Sequence, residues 1–162
     1  MPALGYHPAV PIREATEDDV AVMLDLAAAT RARHGEYQPV FWRAAESALV
    51  MQDLWFRFLL TSDDHHLLVA TDPEGRVVGF LIAQVMDAPP VYDPGGRTCM
   101  VDDFVAEPGQ AFDGLLAAAR SWAVTRGAVQ MVVVTAAADE AKRSALAAND
   151  LTVASEWWVG PA

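Results

Sequence analysis

The chain has 162 residues, 53% of them hydrophobic and 20% charged, and carries a formal net charge of −11. That length suits one domain able to bury its own core, and the balance excludes a disordered chain. The acidic excess, with no basic run or basic helix, excludes the electrostatic footprint of a nucleic-acid binder.

The acidic charge accounts first for solubility, and it would also steer a cationic substrate. Every apolar run is interrupted by charge within about 20 residues, so no membrane span is expected. The first residues lack a basic region followed by a long apolar run, so no secretion signal is expected. Cys99 is the sole cysteine, which rules out an internal disulfide and fits a reducing cytoplasm.

Residues 1–11 read as a flexible N-terminal arm, and residues 12–162 as one domain without repeats or an internal boundary. Ile12-Arg13-Glu14 is a short strand. Thr16 caps a helix start, with Asp19 three residues on, and the acids at 17–19 suit the positive end of the helix dipole. Val20, Met23, Leu24, Ala27 and Ala28 follow at helical spacing. Residues 31–39 read as a polar break holding Arg31, Arg33, His34, Glu36 and Tyr37. A second helix carries a stripe of Met51, Leu54, Trp55, Phe58 and Leu59.

Residues 66–70 and 76–85 form an antiparallel hairpin around Asp72-Pro73-Glu74-Gly75, where Pro presets one dihedral and Gly accepts a positive one. The run Val77–Ala83 is nearly all apolar, so this strand is covered on both faces. After a loop rich in Pro and Gly comes a strand over 97–106 with Asp102 and Asp103 inside it. Adjacent strand residues face opposite ways, so only one of these acids is expected to face a cleft.

Phe112, Leu115, Leu116, Ala119, Trp122 and Ala123 make the stripe of a third helix, which Gly127 ends. Residues 130–135 read as a buried strand. A short helix over 139–148 has Asn149 as a left-handed cap. A last strand over 151–159 carries Trp157 and Trp158, one a core residue on the simplest reading, with cover for a homodimer interface as the alternative. Six strands result, antiparallel first and crossover-linked later, with helices on both faces: a mixed α/β sheet.

Three stretches resemble the GNAT superfamily of N-acetyltransferases. Residues 12–19, Ile-Arg-Glu-Ala-Thr-Glu-Asp-Asp, look like its opening strand and first helix. Residues 72–79, Asp-Pro-Glu-Gly-Arg-Val-Val-Gly, look like its hairpin. Residues 101–108, Val-Asp-Asp-Phe-Val-Ala-Glu-Pro, are similar to its central strand. Leu115-Leu116 and Gly127 continue the match, which spans nearly the whole chain. The resemblance implies a largely antiparallel sheet of six to seven strands and acetyl transfer from acetyl-CoA to an amine, on a small molecule or a peptide.

It also implies that Phe104, Val105 and Ala106 present backbone to the pantetheine arm, and that the segment with Gly109, Gln110, Ala111, Phe112 and Gly114 faces the pyrophosphate, where free N–H groups and the helix dipole favour an anion. The acceptor would border Arg33, His34 and Tyr37. Asp102, with Asp103 second, would be the general base.

Departures accompany the match. The usual Gln or Arg, Gly, and Gly or Ala positions of the phosphate loop hold Glu107, Gln110 and Phe112, and the loop is roughly four residues shorter than usual. Leu146 stands where many relatives place a proton-donating Tyr, with Ser144 nearby. These departures support an alternative reading, a non-catalytic ligand-binding or protein-interaction module of the same fold. Cys99 reads as a small buried residue. His65-His66 lacks the further ligands of a zinc site, so no metal is expected. Neither a Gly-x-Ser-x-Gly elbow nor a Walker-type loop is present.

Overall fold

A computed structural model describes residues 10–162, so residues 1–9 of the expected arm lie outside the described residues. The rest of that arm is tied down: the Pro11 carbonyl accepts from the Thr71 N–H at 3.0 Å, and Val10 packs on the core. The elements are β1 (Ile12–Glu14), α1 (Val20–Tyr37), α2 (Ala48–Leu60), β2 (His65–Thr71), β3 (Val77–Met86), β4 (Arg97–Val105), α3 (Gln110–Thr125), β5 (Ala128–Val133) and α4 (Glu140–Ala148), with a single 3-10 turn at Glu17–Asp19. The strands lie in the order β1-β2-β3-β4-β5. All pairings are antiparallel except β4 with β5, which is parallel.

The sheet separates two cores. On one face Leu68, Leu81, Val101 and Phe104 pack with Phe112, Leu115, Leu116 and Ala119 of α3 and Leu146 of α4. On the other, Leu67, Val69, Phe80 and Ile82 meet Val20, Met23 and Leu24 of α1 and Phe56 and Leu59 of α2. β3 is buried through most of its length because it feeds both cores, as its unbroken apolar run predicts.

The described sheet has five strands, not six or seven. Residues 151–162 form no regular structure. Trp157 and Trp158 are exposed instead of lying in the core, and Trp157 stands edge-on to Phe41, with ring centroids 6.2 Å apart. β5 is consequently an edge strand. Its residues are half-buried or exposed, where the apolar sequence predicts burial. Asp150, not Asn149, takes the left-handed conformation after α4, with φ 62°.

Two helices also differ from their sequence patterns. α1 runs on to Tyr37 through the expected polar break, because Arg31 to Tyr37 holds no helix breaker beyond Gly35 and a lone Gly costs only about 1 kcal/mol. α2 turns Phe56 and Leu59 inward and leaves Met51, Leu54, Trp55 and Phe58 at least half exposed. The helix is apolar on nearly every side, so spacing alone does not select its buried face.

The entry into α1 is held by one carboxylate. Asp19 accepts from the Thr16 N–H at 2.8 Å and hydroxyl at 3.0 Å, and from the Arg13 Nη1 and Nη2 at 2.7 and 2.8 Å. This bidentate, charge-assisted pairing with Arg13, with the Thr16 bonds adding to it, lowers the Asp19 carboxyl to about 2. Its stabilisation is fully present above the ordinary value of 3.8 and is lost as pH falls towards 2. Asp19→Asn is expected to cost about 1–2 kcal/mol at pH 7. Urea melts should show the gap between the two proteins closing over that acid window.

Candidate active site

β3 and β4 fall out of step at one place. Leu81 pairs with Phe104 and Ala83 with Val101, so Ile82 alone faces both Asp102 and Asp103. Two residues against one is a β-bulge, and it re-aims side chains locally. Val101 and Phe104, three apart, consequently enter the same core. The expectation that Asp102 and Asp103 face opposite ways fails here, because strict alternation holds only in an unbroken ladder. Both acids act on the same cation, Lys142.

The other edge of β4 parts from β5 at the same level. Their pairing ends at Val101–Val133, followed by one bond from the Val134 N–H to the Val101 carbonyl at 2.9 Å. Beyond it, Asp102 and Asp103 form the bulge, and Phe104 and Val105 pair only with β3. The divergence leaves β4 backbone open on the side facing α4.

Lys142 fills that opening. It is the only lysine of the chain. Asp139 caps α4 by accepting from the Lys142 N–H at 3.0 Å, which fixes the helix start. The Lys142 Nζ donates to the Phe104 carbonyl at 2.7 Å and stands 5.1 Å from the Phe104 ring centroid. α4 and α1 pack on opposite faces of the sheet, yet Lys142 lies within electrostatic reach of Arg33 and His34 on α1. The two faces communicate where β4 and β5 part.

The ionisable groups are tuned toward neutrality from both sides. Burial, reinforced by Asp102, raises the Asp103 carboxyl to about 6, against the pull of Lys142 and Arg31. Burial lowers the Lys142 ammonium to about 8, against the pull of Asp139, Asp103 and Asp102. His34 is lowered by burial, with Lys142 pushing the same way. Asp102 itself is exposed.

The segment after β4 divides by role. Gly109 precedes α3 with φ 136°, a conformation that only glycine adopts freely, and supplies no side-chain cap. The N–H groups of Gln110, Ala111 and Phe112 open the helix, and the first backbone bond closes from Asp113 to the Gly109 carbonyl at 2.9 Å. The Phe112 ring is fully buried and stacks on Phe104 at 4.3 Å, so only its backbone is available to a ligand. Gly114 serves packing, since a Cβ there would lie 3.1 Å from Ile12 side-chain carbons. Val105 and Ala106 are half-buried, and β3 approaches them so closely that a Cβ on Gly79 would stand 2.8 Å from the Val105 carbonyl. Glu107 is exposed and lies 3.9 Å from Arg33.

On the α1 side, the His34 ring packs 4.6 Å from Trp42 and 6.1 Å from Tyr37. An open cavity of about 390 Å³ between α1 and the turn after it is lined by Arg31, Gly35, Trp42 and Arg43. Arg31 also pairs with Gln52 of α2 and borders a second cavity of about 530 Å³ beside Met51 and Trp55. Arg33, His34 and Tyr37 are thus gathered on the last turns of α1, and Arg31 joins them as an electrostatic neighbour of Asp103.

Other candidates take structural places. His65 Nδ1 lies 2.8 Å from the Ser62 hydroxyl, and His66 stacks flat on Trp122 at 4.9 Å. Cys99 is fully buried, and burial raises its thiol to about 11. Leu146 is in the core and Ser144 faces solvent. Among the described residues, no group of three or more His, Cys, Asp or Glu is placed to hold a metal ion, and no helix is long and apolar enough to cross a membrane. Sequence reasoning passed over Lys142 and Asp139. The available signal was a sole lysine in an acidic chain, one helical turn before Leu146.

No protein-family model matches the sequence, and no curated protein matches it. Solved structures do. A mutant of the BH1408 protein from Bacillus halodurans superposes with a TM-score of 0.81 at 14% identity, covering 94% of this chain and 99% of that one. A transcriptional regulator from Bacillus halodurans gives 0.65 at 21% identity, covering 94% and 99%. A predicted acetyltransferase with acetyl-CoA from Clostridium acetobutylicum gives 0.67 at 16% identity, covering 94% and 96%. The fold is that of GNAT-type acetyltransferases.

The raised Asp103 value has a consequence for stability. A carboxyl raised in the folded state binds its proton more tightly there, so folding stability falls as pH rises from 3.8 to about 6. Asp103→Asn is expected to raise the melting temperature at pH 7 and to leave it unchanged at pH 3. Carbon-detected NMR should place the Asp103 titration near 6 and find it lower in Asp102→Asn.

Proposed function

We propose that the chain transfers an acetyl group from acetyl-CoA to the nitrogen of an amine, with Asp103 as general base. The observation that carries this reading is the coincidence of bulge and divergence: the open backbone of residues 102–105 and the raised Asp103 carboxyl occupy one place. A base with a value near 6 is ionised at neutral pH and can still accept a proton from a bound ammonium. Asp102, the first choice on sequence grounds, is exposed and serves by raising Asp103.

The thioester arm would lie along β4, with backbone of Phe104, Val105 and Ala106 beside it. The open N–H groups of Gln110, Ala111 and Phe112 at the start of α3 suit the pyrophosphate. These groups fit the anion without the usual glycines, although Glu107 brings a like charge close by. The likeness to the Clostridium acetobutylicum protein, which holds acetyl-CoA, supports the choice of donor. The acceptor would approach from α1, past Arg33, His34 and Tyr37. The acidic net charge would steer a cationic small molecule or peptide toward the protein.

Acetyl-CoA at millimolar levels is expected to raise the melting temperature. With a productive amine the enzyme should release free thiol, and kcat/KM should rise with pH through about 6. Asp103→Asn should lower kcat by about 10²–10⁴-fold and remove that rise. A chain that neither gains stability from acetyl-CoA nor releases thiol across a panel of amines is instead the non-catalytic module.

A further inference from the structure

Acyl transfer from a thioester has two proton problems, and Asp103 solves one. The second arises when the carbon–sulfur bond breaks and a thiolate must leave. Leu146 has no proton to give, the Ser144 hydroxyl faces solvent, and the Cys99 thiol is enclosed in the core. Lys142 lies four residues before Leu146, on the same face of α4 and one turn nearer the opening.

Its placement is hard to explain by folding alone. Lys142 is half-buried; drawing an ammonium even partly out of water is costly, and apolar side chains of similar volume often stabilise more than a buried ion pair does. Here the sole lysine is held in the gap between β4 and β5, with one of its three N–H groups on the Phe104 carbonyl. That carbonyl belongs to the stretch of β4 that β5 leaves unpaired. The remaining donors are available to a sulfur in the gap.

We propose that Lys142 is a catalytic residue that protonates the thiolate leaving group of the acyl donor. The inference rests on the acyl-transfer reading above. The amine nitrogen–carbonyl carbon bond forms, the carbon–sulfur bond breaks, and its electron pair goes to sulfur. A proton moves from Nζ to sulfur, giving the free thiol. The proton shed by the new amide nitrogen restores the ammonium.

The groups around Nζ set its acidity. Asp102 and Asp103 act from β4, Arg33 and His34 from α1, and Asp139 from its own helix. Burial outweighs the three acids and brings Lys142 to about 8, within reach of proton transfer near neutrality.

The test compares two donors, acetyl-CoA and the acetyl thioester of thiophenol, whose thiolate leaves without a proton. Lys142→Met removes the donor, and Lys142→Arg keeps charge and hydrogen bond but holds its proton too firmly to give it up. With acetyl-CoA both variants should lose about 10²-fold in kcat. With the aryl thioester the loss should be at least about tenfold smaller, since no proton is required. Wild-type kcat with acetyl-CoA should fall as pH rises through about 8, and neither variant should show that limb.

Equal losses with both thioesters would overturn the assignment, as would full activity in Lys142→Arg. So would an acetyl group accumulating on Lys142 during turnover, read as one acetyl increment in intact mass, because the amine would then be a nucleophile. Active wild type with any of these results leaves the acyl-transfer reading standing and removes only Lys142. Wild type inert toward both thioesters removes both.

Discussion

One extra residue in β4 governs the site. With Ile82 facing both Asp102 and Asp103, the strand cannot stay in register with β3 and also keep its direction beside β5. The ladder to β5 ends at that level, and the backbone beyond it has a partner on one side only. A regular β4 would send Asp102 and Asp103 to opposite faces and would leave Lys142 no opening. The close packing of β3 on the far side holds the bulged strand in place. Gly79 lies so near Val105 and Ala106 that any side chain there would push β4 away.

The same place concentrates energetic cost. Asp103 is less willing to ionise in the fold than in the unfolded chain, and Lys142 is less willing to hold its proton. Each shift subtracts from stability at neutral pH. The compensation comes from elsewhere, from two apolar cores on either side of the sheet and from the Asp19 anchor, whose shift has the opposite sign. Stabilising and destabilising carboxylates are thus separated in the molecule: one fixes the start of α1, the other stands at the gap.

Much of this was legible in the sequence and some was not, for physical reasons. The hairpin at Asp72–Gly75, the two-sided burial of β3, the α3 stripe and the acid pair on β4 follow from local rules of turn chemistry and periodicity. The bulge does not, because it depends on how β3 and β4 pair across the chain. The buried face of α2 was hidden by a helix apolar on most sides. Residues 151–159 have strand-like composition but no strand partner, so propensity misled there, and β5 became an edge. Lys142 escaped notice because its importance arises from the gap, a feature with no sequence period.

Fold alone does not decide what such a chain does, since a transcriptional regulator and a predicted acetyltransferase share its architecture at 16–21% identity. The feature that favours the proposed transfer is chemical. An acid raised to about 6 and a lysine lowered to about 8 bracket neutral pH from the two sides. Pairs of groups tuned in opposite directions divide the labour of base and acid. The departures in the phosphate loop leave the proposed donor one weaker handle, while the open strand and the two tuned groups stay together where β4 and β5 part. On the reading proposed above, catalysis would therefore depend on Asp103 and Lys142 more than on the loop through which the fold is usually recognised.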